Sequence, residues 1–114
     1  GVHAEPVAAL SRTYGLNAQA VRNFSLDVLR SEIASGLPVI VWVAGHVGLG
    51  TPVPYTTSDG SNTTVAPYEH TVIVIGYNDR EVEVLDGAEM YTRRWSVFEH
   101  SWAVLGNMAV IMRP

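Results

Sequence analysis

The side chains in this sequence that suit acid–base or metal chemistry are four histidines and eleven carboxylates. The histidines are His3, His46, His70 and His100, and no two of them have metal-ligand spacing. Cysteine is absent, so these residues supply no thiol nucleophile, disulfide or zinc–thiolate site. Neither GxGxxG nor a Walker A motif occurs. The sequence therefore predicts no metal site and no cofactor.

Three of the histidines have ordinary interpretations. His46 lies in the glycine-rich stretch Gly45–Gly50, which leads into no predicted helix and is therefore a weak candidate for a phosphate loop. His100 follows Glu99 on an amphipathic stretch, where a surface histidine is expected. His3 lies near the first residue and is interpreted in the same way.

His70 and Asp86 differ from the others because a predicted β-hairpin separates them, with its turn at Asn78-Asp79. In such a pair of strands the two residues lie opposite or nearly opposite each other, at the open end of the ladder. A carboxylate there can hold the imidazole tautomer and stabilise the imidazolium, as in nucleophile–His–Asp arrangements. The structural alternative is a strand-end histidine bonded to the backbone, with a turn-forming aspartate before Gly87.

The first predicted helix runs from Glu5 to Tyr14 and ends at Gly15. Val7, Leu10 and Tyr14 share one of its faces, since they have the spacing i, i+3, i+7. A short connector is expected to follow this helix.

Two further helices are predicted from capping signals. One begins after the N-cap Ser25 and ends at Gly36. Its buried stripe consists of Leu26, Leu29 and Ile33. The other opens with the capping box Ser96–Glu99 and ends at Gly106. Its buried positions are Phe98, Trp102 and Leu105.

The strands are predicted where β-branched residues run together or alternate with polar ones. The unbroken run Pro38–Ala44 is typical of a strand that is covered on both faces. Further strands are predicted at residues 70–77, 81–86, 91–95 and 108–112. Residues 45–69 show no sustained periodicity and are rich in loop-forming residues, so they are predicted to form a long loop.

The order of these elements indicates the fold class, and the composition limits the function. Strands that cluster after helices predict an α+β domain with a mainly antiparallel sheet and flanking helices. A length of 114 residues fits a single domain. A net charge of −4 argues against a nucleic-acid partner, and no apolar run reaches the length of a membrane span.

Several segments have the order and spacing of a known family. They are Tyr14–Leu16, residues 29–33 leading into 36–41, His70–Tyr77, Val84–Asp86, Trp95-Ser96, Phe98 and Trp102. In these segments the chain resembles the C39-like peptidase domains of bacteria, within the papain-like cysteine peptidase superfamily. The resemblance implies a papain-like fold and a Cys-His-Asp triad, in which His70 is the general base and Asp86 orients it.

The sequence departs from the family pattern in two places. The family often has Asp-Pro where this chain has Asp86-Gly87. Its nucleophilic cysteine lies on an N-terminal helix, preceded by a glutamine of the oxyanion hole, and nothing here aligns with that motif. We therefore expect residues 1–114 to be one C39-like domain that is N-terminally incomplete, lacks the nucleophile helix and is inactive by itself.

The resemblance leaves two functions open. One is part of a cysteine peptidase that acts on peptide or protein substrates. The other is a non-catalytic C39-like module that binds a peptide or protein, with Trp42, Tyr55 and Tyr68 lining a groove, although Trp42 also suits the core. A face that normally contacts the missing helix would be apolar and exposed, so we expect a homo-oligomer. The resemblance also implies a bacterial source and is compatible with a location outside the cytoplasm.

Overall fold

A computed structural model describes residues 3–48, 53–56, 62–65 and 69–113 of the chain. The helices in these residues are α1 (Ala4–Thr13), α2 (Leu26–Ala34) and α3 (Trp95–Ala103). The strands are β1 (Asn17–Val21), β2 (Val39–Ala44), β3 (Val53–Thr56), β4 (Asn62–Val65), β5 (Glu69–Tyr77), β6 (Glu81–Asp86), β7 (Glu89–Arg94) and β8 (Ala109–Arg113). No helix among the described residues is long and apolar enough to cross a membrane.

Six strands form one sheet in the order β1-β8-β2-β5-β6-β7, and every neighbouring pair in it is antiparallel. The predicted α+β class with an antiparallel sheet and flanking helices is confirmed. Strand β2 lies between β8 and β5, which explains why its apolar run is unbroken: Val41 belongs to the core on one face of the sheet and Trp42 to the core on the other.

The two faces of the sheet carry different cores. Residues of α2 and α3 cover one face, where the largest fully buried side chains are Phe98 and Trp102. Helix α1 covers the other face through Ala4 and Ala8, beside the buried Trp42. Both faces of the central strands are therefore covered by buried apolar side chains, and polar functional groups are expected at the strand ends.

Helix α2 forms as the sequence predicts. The backbone N–H of Val28 donates a 3.1 Å hydrogen bond to the Ser25 hydroxyl, which caps the first turn. Leu29 and Ile33 are buried, and Leu26 is partly buried against the same core. The amphipathic stripe is thus the face that packs on the sheet.

Helix α3 begins two residues earlier than a capping box with Ser96 as its N-cap requires. Its N-cap is Arg94, whose side chain makes no capping hydrogen bond, so the predicted box is wrong. The start is set by Trp95, whose backbone N–H donates to the carbonyl of Arg80 and whose indole N–H donates to that of Asn78. These tertiary contacts replace the local cap. Phe98, Trp102 and Leu105 are buried as predicted.

Of the three apolar residues predicted to share a face of the first helix, Val7 packs against the core, whereas Leu10 and Tyr14 point outward. The side chains of Leu10 and Tyr14 are 59% and 79% exposed, whereas the small residues Ala4 and Ala8 are buried. Small side chains let α1 lie close to β1 and β8, and β1 is itself a strand that the sequence analysis treats as a connector. Only Val21 in β1 is β-branched, so pairing with β8 and not local propensity makes it a strand.

The loop prediction for residues 45–69 needs correction. Strands β3 and β4 pair with each other within this segment, and Glu69 already belongs to β5. Pro54 obscured the first of these strands, because proline within an apolar run argues against a strand. This two-stranded sheet makes no ladder with the main sheet, which is why no long apolar pattern marks it.

Candidate functional site

The side chains of His70 and Asp86, which the hairpin is predicted to bring together, are hydrogen-bonded. Nε2 of His70 lies 2.6 Å from Oδ1 of Asp86. Strands β5 and β6 pair Ile73 with Leu85, so one further step would place Asp86 opposite position 72 and diagonal to His70. The two side chains therefore leave the same face of the sheet and meet where the ladder ends.

A third side chain, His46, joins them from the end of the neighbouring strand. Strand β2 runs beside β5, and its last pair is Ala44 with Glu69. A tight turn then closes through a 2.8 Å hydrogen bond from the N–H of Gly48 to the carbonyl of Ala44. This turn carries His46 over the site, with its Nδ1 3.0 Å from Oδ2 of Asp86. No linear motif marks His46 as part of this site.

Val47 shows why that turn keeps its shape. Its φ is +57°, in the left-handed region that a β-branched residue rarely adopts, at a cost of about 1–2 kcal/mol. Its side chain is only 1% exposed and belongs to the same core as Val43. Burial of a valine stabilises by roughly 1.5–3 kcal/mol, which offsets the strain. The core thus fixes the backbone that presents His46.

Tyr91 completes the surroundings of the carboxylate. Its hydroxyl, on β7, donates a 2.8 Å hydrogen bond to Oδ2 of Asp86. Arg93, two residues further on, stacks its guanidinium 4.2 Å from the centre of the Tyr91 ring and donates to the backbone carbonyl of His46. A carboxylate only accepts, so both imidazole nitrogens that face Asp86 carry their protons.

These contacts determine the charge of the site. The hydrogen bond from His70 lowers the pKa of Asp86 far below its usual range, and those from His46 and Tyr91 add to the effect against the opposing influence of burial. Burial raises the pKa of Tyr91, and its bond to Asp86 raises it further. At neutral pH the site therefore holds an ionised carboxylate and a protonated phenol.

Comparison with known proteins shows which family the chain belongs to. A sequence model of the Peptidase_C39 like family matches residues 1–110. The chain belongs to that family. The predicted resemblance to the C39-like peptidase family is thus confirmed.

A solved structure has the same fold. A crystal structure from Bacillus anthracis, described as that of a candidate C39-like peptidase, aligns with 100% of this chain at a TM-score of 0.87 and 21% sequence identity. The chain spans 60% of the length of that protein. No curated protein gave a significant match. At this level of identity the likeness establishes the fold of the C39-like domain.

A buried serine holds the end of the strand that leads to His46. The hydroxyl of Ser101 is fully buried, accepts a 2.9 Å hydrogen bond from the N–H of Ala44 and lies 3.3 Å from its carbonyl oxygen. Sequence reasoning had no signal for this contact, since a lone serine within a helix pattern has many uses. No local pattern marks His46 or Tyr91, which meet Asp86 only through the pairing of the strands.

The remaining predicted residues lie outside this cluster. His100 is exposed on α3. Nε2 of His3 lies 2.8 Å from Oε1 of Glu69, in an orientation that forms no hydrogen bond. Trp42 is 1% exposed and belongs to the core. The C39-like domain thus concentrates its polar chemistry at Asp86 and the side chains bonded to it.

Proposed function

We propose that this C39-like domain supplies the general base and the orienting acid of a cysteine peptidase. The observation that carries the proposal is the 2.6 Å hydrogen bond between Nε2 of His70 and Oδ1 of Asp86. The bond leaves Nδ1 of His70 for a nucleophile, and the imidazole is 41% exposed, so a partner can reach it. Asp86 is only 10% exposed, which suits a residue that orients a base.

The roles follow from the chemistry of peptide hydrolysis. Nδ1 of His70 takes the thiol proton, and the sulfur attacks the carbonyl carbon of the peptide. The carbon–nitrogen bond breaks, and the imidazolium returns the proton to the leaving amine. Water then hydrolyses the thioester, with His70 again as the base. Ionised Asp86 stabilises the imidazolium of each step.

The 114 residues contain no cysteine, so the proposal requires a thiol from outside them. By itself this chain is expected to show no thiol-dependent proteolysis, since His70 has no thiol to activate. The decisive observation is the encoded sequence upstream of Gly1. A glutamine followed closely by a cysteine that opens an apolar helix supports the peptidase.

If that cysteine is encoded, the longer protein provides the direct test. Peptide hydrolysis and its inhibition by iodoacetamide are measured for the protein and for its His70→Ala and Asp86→Asn variants. Loss of at least about a hundredfold in kcat/KM is expected for His70→Ala, the size of a general-base contribution. His100→Ala, at an exposed histidine of α3, is the matched control. Hydrolysis that survives His70→Ala at full rate contradicts the proposal.

A non-catalytic binding module is the alternative, and the described residues favour it less. Trp42, one of three aromatic residues considered for a peptide groove, is buried in the core beneath α1. The side chain of Tyr55, and Tyr68 as a whole, lie outside the described residues. A reading frame that starts near Gly1, or an upstream segment without cysteine, supports the binding module instead.

We also propose that the chain self-associates through the outer face of α1. Leu10 and Tyr14 on this face, and Leu16 just after it, are each more than half exposed. Exposed apolar side chains that lie near one another in the sequence tend to be covered by another protein surface. A second copy of the same chain is always available for this, and a symmetric pair would cover both faces at once.

A further inference from the structure

We propose that His46, His70 and Asp86 form a binding site for one divalent transition-metal ion of the zinc class. Each residue offers one ligand atom, and the three atoms lie within 4.8 Å of one another. They come from three separate elements, the turn after β2 and strands β5 and β6, so no linear motif marks them. Two imidazoles and one carboxylate are a ligand set that zinc accepts, with the fourth position left for water.

The distances between the donors suit an ion after a small adjustment. In a tetrahedral zinc site with bonds of 2.0–2.2 Å, donor atoms lie about 3.3–3.6 Å apart. The present separations are 2.6 Å from Nε2 of His70 to Oδ1 of Asp86 and 3.0 Å from Nδ1 of His46 to Oδ2, so each imidazole now faces a different oxygen of the carboxylate. On binding an ion, each imidazole would carry its proton on the ring nitrogen that faces away from Asp86, and each would move outward by less than about 1 Å. The side chain of His46 is 77% exposed, which leaves its imidazole room for that movement.

The surroundings prepare the carboxylate for this role. Tyr91 donates to Oδ2 of Asp86, an outer hydrogen bond of the type that orients metal-ligating carboxylates. Asp86 is almost buried whereas both imidazoles face solvent, so the ion would have a fixed anionic ligand and an open approach. The positively charged guanidinium of Arg93, which stacks on the Tyr91 ring, disfavours a cation at this site. The neutral nitrogen ligands then favour zinc-class ions over Ca²⁺ or Mg²⁺, which require mostly oxygen donors.

This inference is independent of the proposed peptidase, because it needs no cysteine and no residue beyond the chain. If both proposals hold, the site cannot bind the metal ion and act as a peptidase at the same moment. A metal bound to Nε2 of His70 and to Asp86 removes the hydrogen bond between them, so the imidazole no longer has the acid that orients it. The ion would then act as an inhibitor of the same site.

The test titrates Zn²⁺ into the chain by calorimetry at pH 7, with an affinity tag that contains no histidine. Saturable binding of one ion per chain is expected. His46→Ala, His70→Ala and Asp86→Asn should each weaken it by at least about tenfold, since each loses a direct ligand. His100→Ala, which removes an exposed histidine from α3, should leave binding unchanged.

A second measurement needs no substitution of a ligand. Co²⁺ bound to the wild-type chain should show the visible absorption of a low-symmetry, four- or five-coordinate site, and Zn²⁺ should displace it. Tyr91→Phe, which keeps all three ligands, should weaken binding by about 10–100-fold. No saturable binding to the wild type, or an affinity that His46→Ala does not change, overturns the proposal.

Discussion

Tyr91 and Asp86 are joined by a 2.8 Å hydrogen bond across the turn between β6 and β7. The register pairs Asp86 with Glu89 and Val84 with Tyr91, so the two residues are diagonal neighbours on one face. Gly87, with a φ of +61°, makes the short turn possible. The pairing of β6 with β7 thus orients the carboxylate of Asp86, and neither histidine is needed for this.

The hydrogen bond from Tyr91 to Asp86 predicts that Tyr91→Phe destabilises the folded chain. The substitution removes one donor from an almost buried carboxylate and should lower the free energy of unfolding by about 1 kcal/mol. Urea unfolding at pH 7 measures it. Tyr14→Phe, at a side chain that is 79% exposed, should change stability by less than about 0.5 kcal/mol. Equal effects of the two substitutions would show that the hydroxyl of Tyr91 contributes nothing.

The lowered pKa of Asp86 predicts a contribution to stability that is lost in acid. Because hydrogen bonds from His70, His46 and Tyr91 favour the ionised form, this contribution is complete above the unfolded pKa of about 3.9 and disappears as the pH falls through the folded value. Asp86→Asn should cost about 1–2 kcal/mol at pH 7, the low end for charged hydrogen bonds because both imidazoles are open to solvent.

The difference between wild type and Asp86→Asn should therefore shrink between pH 5 and pH 2. Urea unfolding of both proteins across this range measures it, and the common effects of the other carboxylates cancel in the difference. A difference that stays constant with pH would contradict the assignment of the lowered pKa to Asp86.

Ser101→Ala should destabilise the end of β2. The substitution leaves the N–H of Ala44 without its hydroxyl partner in a fully buried place, at a cost of about 1–3 kcal/mol. Ser96→Ala, at an exposed serine of the same helix that makes no cap, should be nearly neutral. Chemical denaturation measures the free energy of unfolding of both variants. A large loss of stability in Ser96→Ala would show that Ser96 caps the helix, contrary to the structure.

Self-association predicts a sedimentation coefficient that increases with protein concentration. Leu10→Asp places a charge in the exposed face of α1 and should shift the chain towards the monomer. Val28→Asp is a control, because Val28 is also an exposed apolar residue but lies on α2. A wild-type chain that sediments as a monomer at every concentration would contradict the proposed face.

The sequence predicted the parts of this fold that depend on local pattern. The Ser25 cap, the stripe of α2 and the buried run of β2 are each written in neighbouring residues, because helix and strand periodicity reflect burial directly. Where tertiary contacts opposed a local sequence signal, the secondary structure predicted from that signal was wrong. The first turn of α3 is held by Trp95 against the β5–β6 turn, and β1 is a strand only because β8 pairs with it.

The candidate site divides in the same way. A hairpin is a local unit, so the sequence alone brought His70 and Asp86 into one neighbourhood. His46 and Ser101 join them through the order of strands in the sheet and the packing of α3, which are contacts between residues far apart in the chain. Such contacts depend on which strands become neighbours, and that choice is made by burial of the whole core. The pairing of His70 with Asp86 could therefore be predicted from the sequence, whereas the approach of His46 and the contact made by Ser101 were decided by the tertiary structure.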